Sequence, residues 1–240
     1  MSEKTCIVFG AAGGIGRALV KQISAKGWKL VLAGRTLGPL EQLASEVGGV
    51  AVAVDAQDFD AVDAVFQSHS QATGAVNLVG SILLKPAHMT SYQEFSQTLD
   101  QNLRTAFAVT RAASKSMKAA GGSVVLVSSC AARIGLSNHE AISAAKAGIE
   151  GLVRSAAATY APSKIRFNAV APGLVATPMS KRITDNEAAL KTSVAMHPLG
   201  RIAQPEEVAR AIQYLLESES DFVTGQVLAV DGGLASLKTR

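Results

Sequence analysis

Charge and aromatic rings are both scarce in this chain. Asp, Glu, Lys and Arg make up 18% of its 240 residues, and Phe, Trp and Tyr only 5%. The net charge of +4 is mild, and the Lys and Arg residues are scattered rather than clustered. Neither a basic patch nor an aromatic stacking platform can be assembled from them, which argues against nucleic-acid binding. Cysteine is rarer still: Cys6 and Cys130 cannot build a disulfide framework or a zinc site by themselves. Cys6 falls in an apolar run and reads as core, whereas Cys130 follows a strand and could border a site. No apolar run is long enough for a membrane span. The opening MSEKTCIVFG enters a strand almost at once, which leaves no room for a signal peptide. The expectation is a cytoplasmic protein with no membrane partner.

Hydrophobic residues, at 48%, are plentiful, and no long polar linker interrupts them. That suits one packed domain over residues 1–240. The organising stretch is TCIVFGAAGGIGRALVK, Thr5 to Lys21. A β-branched apolar run ends in glycines, after which Ile15, Ala18, Leu19 and Ile23 recur at helical spacing. Gly10, Gly14 and Gly16 allow positive φ and close backbone approach. With Ile15 they open a helix whose unpaired N–H groups and positive dipole end can seat a pyrophosphate. The bland alternative is a glycine-rich connection that binds nothing.

Six further strands follow: Lys29–Gly34, Val50–Asp55, Ala75–Val79, Ser123–Ser128, Ile165–Ala171 and Gln226–Val230. Helical patterns lie between them at Gly14–Lys26, Pro39–Val47, Phe59–Ser70, Tyr92–Ala119, Glu140–Tyr160 and Pro205–Leu216. This alternation predicts an α/β fold: a single doubly wound Rossmann-type domain with a seven-stranded parallel sheet. Ligands are then expected at the carboxyl ends of the strands. Residues 177–199 break the rhythm and are expected to form a substrate lid.

In dinucleotide-binding folds an acid at the end of the second strand favours NAD. Here that strand ends Ala33-Gly34-Arg35-Thr36, and the first carboxylate, Glu41, is inside the next helix. Arg35 can clamp a 2′-phosphate with its guanidinium fork, so the cofactor is read as NADP. The alternative for Arg35 is a solvated surface cation. Asp55 is placed to accept from an adenine amino group, or simply to cap a turn.

The pieces GAAGGIG at Gly10–Gly16, Asn102 in QNLRTAF, SVVLVSS ending at Ser129, and Lys146 in AAKAG occur in one order. IRFNAVAPGLVATPM at Ile165–Met179 and GQVLAVDGG at Gly225–Gly233 complete it. Over nearly its whole length the chain resembles the short-chain dehydrogenase/reductase family, most of all its 3-oxoacyl-carrier-protein reductases. The resemblance implies a nicotinamide cofactor, a small-molecule carbonyl or alcohol substrate and often a homotetramer. It implies catalytic roles for Ser129, Asn102 and Lys146, with Lys146 also holding the nicotinamide ribose. Gly80, Pro172, Gly173, Val175 and Thr177 match segments that line the cofactor. Asn102 has a second reading, in which it satisfies backbone groups in a kinked helix.

The departures are informative. Phe9 replaces the threonine before the glycine turn, and Asn77-Leu78-Val79-Gly80 replaces Asn-Asn-Ala-Gly. The family's tyrosine, four residues before the lysine, falls on Ile142. Tyr160-Ala-Pro-Ser-Lys164 matches the same string, but Pro162 breaks the helix that would align the two side chains. Isoleucine donates nothing to the alkoxide that hydride transfer creates. At about 100° per residue, positions 139, 142, 143 and 146 share a helix face. His139 is thus the candidate substitute donor, though Asn138 could cap that helix and leave it merely exposed. Ser143 is a weaker candidate.

The leading reading is an NADP(H)-dependent oxidoreductase that reduces a carbonyl, or oxidises an alcohol, with an atypical proton donor. The alternative is a catalytically impaired NADP-binding protein acting as a sensor or partner subunit. Another chemistry on the same scaffold stays open.

Overall fold

The computed structural model describes residues 4–238. Seven strands form one all-parallel sheet in the order β3-β2-β1-β4-β5-β6-β7. They are β1 Thr5–Phe9, β2 Lys29–Gly34, β3 Val50–Ala53, β4 Gly74–Asn77, β5 Gly122–Val127, β6 Ile165–Pro172 and β7 Val227–Val230. Alternation along β1 feeds both faces of the sheet. Ile7 and Phe9 enter a core with Val62, Phe66, Val109 and Ile149. Cys6 and Val8 enter the opposite core with Leu19, Ile23, Leu40 and Ile212. Helices α3 (Phe59–Ser68), α5 (Thr105–Ser116) and α6 (Glu140–Tyr160) cover the first face. Helices α1 (Gly14–Ser24), α2 (Leu37–Val47) and α9 (Pro205–Leu216) cover the second.

The progression of strand order reverses between β1 and β4, so the crevice of a doubly wound fold opens there. Gly10, with φ of 77°, brings β1 close to the end of β4: a Cβ on it would lie 3.0 Å from the Leu78 carbonyl carbon. On Gly16 a Cβ would lie 2.5 Å from the carbonyl oxygens of Gly10 and Ala11. Only glycine lets α1 pack this tightly on the turn.

Several expected boundaries move. Strand β3 stops at Ala53, so Asp55 lies in the turn beyond it rather than in the strand. Strand β4 runs from Gly74 to Asn77, not to Val79, because the chain bends under Gly10. Residues 177–199 are not a plain polar loop. They form a 3₁₀ turn at Pro178–Ser180, then α7 (Lys181–Thr184) and α8 (Glu187–Met196).

The long helix expected over Tyr92–Ala119 is interrupted. Helix α4 (Tyr92–Leu99) passes through a π turn, Asp100–Arg104, into α5. Side chains take up backbone groups at this widened turn. The fully buried Asn102 Nδ2 donates to the Thr98 carbonyl at 2.9 Å and to Ser81 Oγ at 3.1 Å. Its Oδ1 accepts from the Ser81 N–H at 3.3 Å. Thr105 Oγ1 reaches the carbonyls of Gln101 and Asn102, and accepts from Asn77 Nδ2 at 3.1 Å. The π turn is thereby tied to the end of β4, beside the crevice. Asn102→Ala would strand the Thr98 carbonyl and the Ser81 N–H, and should cost on the order of 2–3 kcal/mol in urea unfolding. A loss within experimental error would show that these contacts do not stabilise the turn.

Candidate active site

Two cavities meet above the carboxyl ends of β1, β4, β5 and β6. The first, of about 380 Å³, begins at the glycine turn. Helix α1 has no side-chain N-cap and no acid in its first turn, so its leading N–H groups face the cavity without competition. Gly10, Gly14, Ile15, Gly16, Gly80, Lys146, Pro172, Gly173 and Thr177 all line it, as expected. Val175 does not: its side chain is buried in the core, and it pairs with Ala203 as an isolated bridge.

At the far end a smaller cavity of about 200 Å³ is lined by Arg35 and Asp55 together with Gly13, Ala56 and Gln57. Arg35 is exposed and has no partner for its guanidinium among the described residues. Asp55 Oδ1 accepts from the Gln57 N–H at 3.0 Å, so part of the carboxylate does cap a turn.

The second large cavity, about 580 Å³, shares Ile82, Ser129, Ile142 and Gly173 with the first. These four residues form the boundary where a cofactor and a substrate could touch. Ser129 follows β5; its Oγ accepts from the Ala131 N–H at 3.2 Å, and its hydroxyl also interacts with the neighbouring Cys130 thiol. Ile142 is buried on α6, one turn before Lys146. Cys130 borders the same cavity, where burial pushes its thiol up to about 11 and keeps it protonated.

The candidate donor stands at the start of α6, beside the same cavity as Ile142. His139 is the residue that starts α6, with φ of −109°, while Asn138 is left-handed at φ 64° and is not the cap. His139 still lines the second cavity, but not the first. Its Nδ1 lies 2.7 Å from the Ser137 carbonyl, which holds the proton there in the neutral ring and leaves Nε2 free. Ser143 donates its hydroxyl to the Ala131 carbonyl and is thereby occupied. Tyr160 packs its ring on Phe167 at 5.7 Å and lines neither cavity.

A family model described as "Enoyl-(Acyl carrier protein) reductase" matches residues 10–235. The chain belongs to the short-chain dehydrogenase/reductase family. It is 36% identical to a mouse 3-oxoacyl-[acyl-carrier-protein] reductase, with 97% of this chain and 98% of the relative covered. It is 35% identical to a cis-4-hydroxycyclohexanecarboxylate dehydrogenase of Sinomonas cyclohexanicum, over 98% of each chain. Among solved structures, a short-chain dehydrogenase/reductase family protein superposes with a TM-score of 0.90 at 32% identity, over 98% of both chains. The protein is accordingly an oxidoreductase of the short-chain dehydrogenase/reductase type, and members of this family typically bind a nicotinamide cofactor. No described helix is long and apolar enough to cross a membrane, and no described group of residues could hold a metal ion.

As a short-chain dehydrogenase/reductase, the chain holds its site together with polar groups that sequence spacing did not reveal. Glu150, buried one turn beyond Lys146, accepts from Ser128 Oγ and from Arg133 Nε, each at 3.0 Å. This network clamps the segment after β5, which carries Ser129, onto α6. The only signal for it was a glutamate on the inner face of that helix. His197 ties α8 to the backbone that follows β6. Its Nδ1 is 2.6 Å from the Ser193 carbonyl on α8, and its Nε2 accepts from the Leu174 N–H at 3.2 Å. A Cβ on Gly173 would sit 2.5 Å from that Nε2, so the contact requires glycine there. No motif marks His197. Asn102 lines neither cavity but stands behind Gly80, whose Cβ would meet its Oδ1 at 2.8 Å.

Lys146 is buried and donates to the Val127 carbonyl at 2.8 Å. No carboxylate among the described residues pairs with it, so desolvation pushes it down to about 8 from 10.5. Between those values the unfolded chain binds the proton that the folded site releases, so stability rises with pH across this window. Relative to Lys146→Met, the wild type should therefore gain about 2 kcal/mol between pH 7 and pH 10 in denaturant unfolding. A constant difference would show that the ammonium is not desolvated.

Proposed function

We propose that the protein is an NADP(H)-dependent carbonyl reductase, or alcohol dehydrogenase, whose active site works without the family's tyrosine. The observation that carries this is the shared wall of the two cavities. Ser129 supplies a hydroxyl to it and Ile142 supplies only carbon. The residues present fit the cofactor. The uncapped start of α1 suits a pyrophosphate, Gly10 and Gly16 keep side chains out of its way, and unpaired Arg35 suits a 2′-phosphate. Lys146 would hold ribose hydroxyls, Pro172, Gly173 and Thr177 would border the nicotinamide, and Val175 would contribute through its backbone. Asp55 retains one carboxylate oxygen for the adenine.

When bound, the cofactor supplies or accepts the hydride. The chain's own residues do the rest. The Ser129 hydroxyl donates to the substrate oxygen and stabilises negative charge developing there. His139, in its protonated form, delivers a proton to that oxygen directly or through water. Asn102 positions Gly80 and the floor of the groove. Ile142 makes a dry wall, which strengthens each of these polar contacts. The lid at residues 177–199 covers the substrate. Exposed Phe95, Phe107 and Phe222 suit burial in a homo-oligomer, read here as a tetramer acting in the cytoplasm.

A second reading rests on Ile142 itself. With no phenol beside Lys146, the protein could bind NADP and turn over little, serving as a sensor or partner subunit.

Titration of NADPH and NADH against wild type and Arg35→Ala tests the cofactor. NADPH should bind more tightly than NADH, and Arg35→Ala should lose about 1.5–3 kcal/mol for NADPH alone. Equal affinity of the wild type for the two would refute the assignment. For the donor, His139→Ala should lower turnover about 10²–10⁴-fold with NADPH affinity unchanged. An active wild type unimpaired by His139→Ala removes that histidine from the mechanism. An inactive wild type activated by Ile142→Tyr supports the second reading.

A further inference from the structure

We infer that the larger cavity takes a neutral ketone with a bulky apolar body and excludes carboxylates and phosphates. This deepens the reading above and rests on it for the identity of the reacting group. At about 580 Å³ the cavity is of the size that encloses most of a small molecule. Its lining contains no Asp, Glu, Lys or Arg. Leu84, Leu136, Leu174, Ile183 and Met196 surround the space that Ile142 closes off toward the cofactor groove.

The polar atoms in the lining are mostly committed to the protein. Both nitrogens of His197 are engaged, and Thr192 Oγ1 donates to the Ala188 carbonyl at 2.9 Å. The Cys130 thiol is held neutral by burial. At the cofactor boundary stands the Ser129 hydroxyl, beside the neutral Cys130 thiol; His139 Nε2 and the Asn138 amide lie at the start of α6, and the Ser193 hydroxyl is the other polar group of the lining. One carbonyl oxygen near Ser129 can therefore be recognised, together with a weak polar contact at the His139 side. Beyond these groups an anionic substituent would meet no charged side chain in the lining. Burying an unpaired carboxylate is far more costly than burying an ester or a hydrocarbon of similar shape.

A neutral and an anionic probe of nearly the same shape separate the possibilities. Methyl 4-oxocyclohexanecarboxylate and 4-oxocyclohexanecarboxylate are titrated calorimetrically into the full chain, with and without saturating NADP+, so that no reduction occurs. The ester should bind at least about tenfold more tightly than the acid. Thr192→Lys, which adds a cation from the exposed side of the lid helix, should reduce that preference to about threefold or less. Acid binding equal to or tighter than ester binding in the wild type overturns the inference. So does failure of both probes to bind at millimolar concentration. NADPH oxidation in the presence of ester is followed separately. Ester that binds but is not reduced contradicts the proposed reaction while the substrate class stands.

Discussion

An all-parallel sheet imposes one constraint from which the rest follows. Every strand ends at the same edge, so every functional loop arrives there too. The glycine turn after β1, Arg35 after β2, Asp55 beyond β3, Gly80 beyond β4, Ser129 after β5 and Gly173 after β6 come from widely separated parts of the chain. They line one continuous set of cavities because the crossovers leave them no other edge. The strand order then opens a crevice between β1 and β4. Gly10 narrows it by bringing backbone against backbone where any side chain would collide.

Burial determines how this edge behaves chemically. Lys146 is desolvated without a counterion among the described residues, Ile142 beside it is buried, and Cys130 is held as a thiol. A low-dielectric site makes each remaining polar contact stronger and each missing one more costly. Three internal devices keep the arrangement rigid. Asn102 and Thr105 satisfy the π turn, Glu150 clamps the segment carrying Ser129, and His197 joins α8 to the backbone after Gly173. Asn102, Thr105 and Glu150 line neither large cavity, whereas His197 borders the larger one with both ring nitrogens engaged. Each device fixes a segment that lines one of the cavities.

The fold was legible because apolar runs and helical spacing report burial directly. All seven strands and the order of the main helices were readable from that pattern, as were the glycine turn and the place of Ser129 and Lys146. What escaped depends on contacts between distant segments. Apart from Asn102, read as able to satisfy backbone groups in a kinked helix, nothing in YQEFSQTLDQNLRTAF signals a π turn, since its residues suit an α-helix; carbonyls at its widened part are met by Asn102 and Thr105, whose side chains bond in turn to Ser81 and Asn77. Helical spacing put His139 on the face of α6. The helix starts at Glu140 as expected, but with Asn138 left-handed its N-cap is His139 rather than Asn138, and the imidazole borders the larger cavity only. His197 and Glu150 carry no spacing signature because their partners come from other elements. Ile142 was legible as a departure from the family pattern, and the structure gives it a physical position as the wall between two cavities.

The central claim is that this wall is where a nicotinamide meets a substrate. A crystal structure with NADP+ bound tests it most directly. The account predicts the 2′-phosphate on the Arg35 guanidinium, the pyrophosphate at the start of α1, and the nicotinamide ring against Ile142 with Ser129 at its edge. A ring lying away from Ile142 and Ser129, or a 2′-phosphate without contact to Arg35, would contradict it.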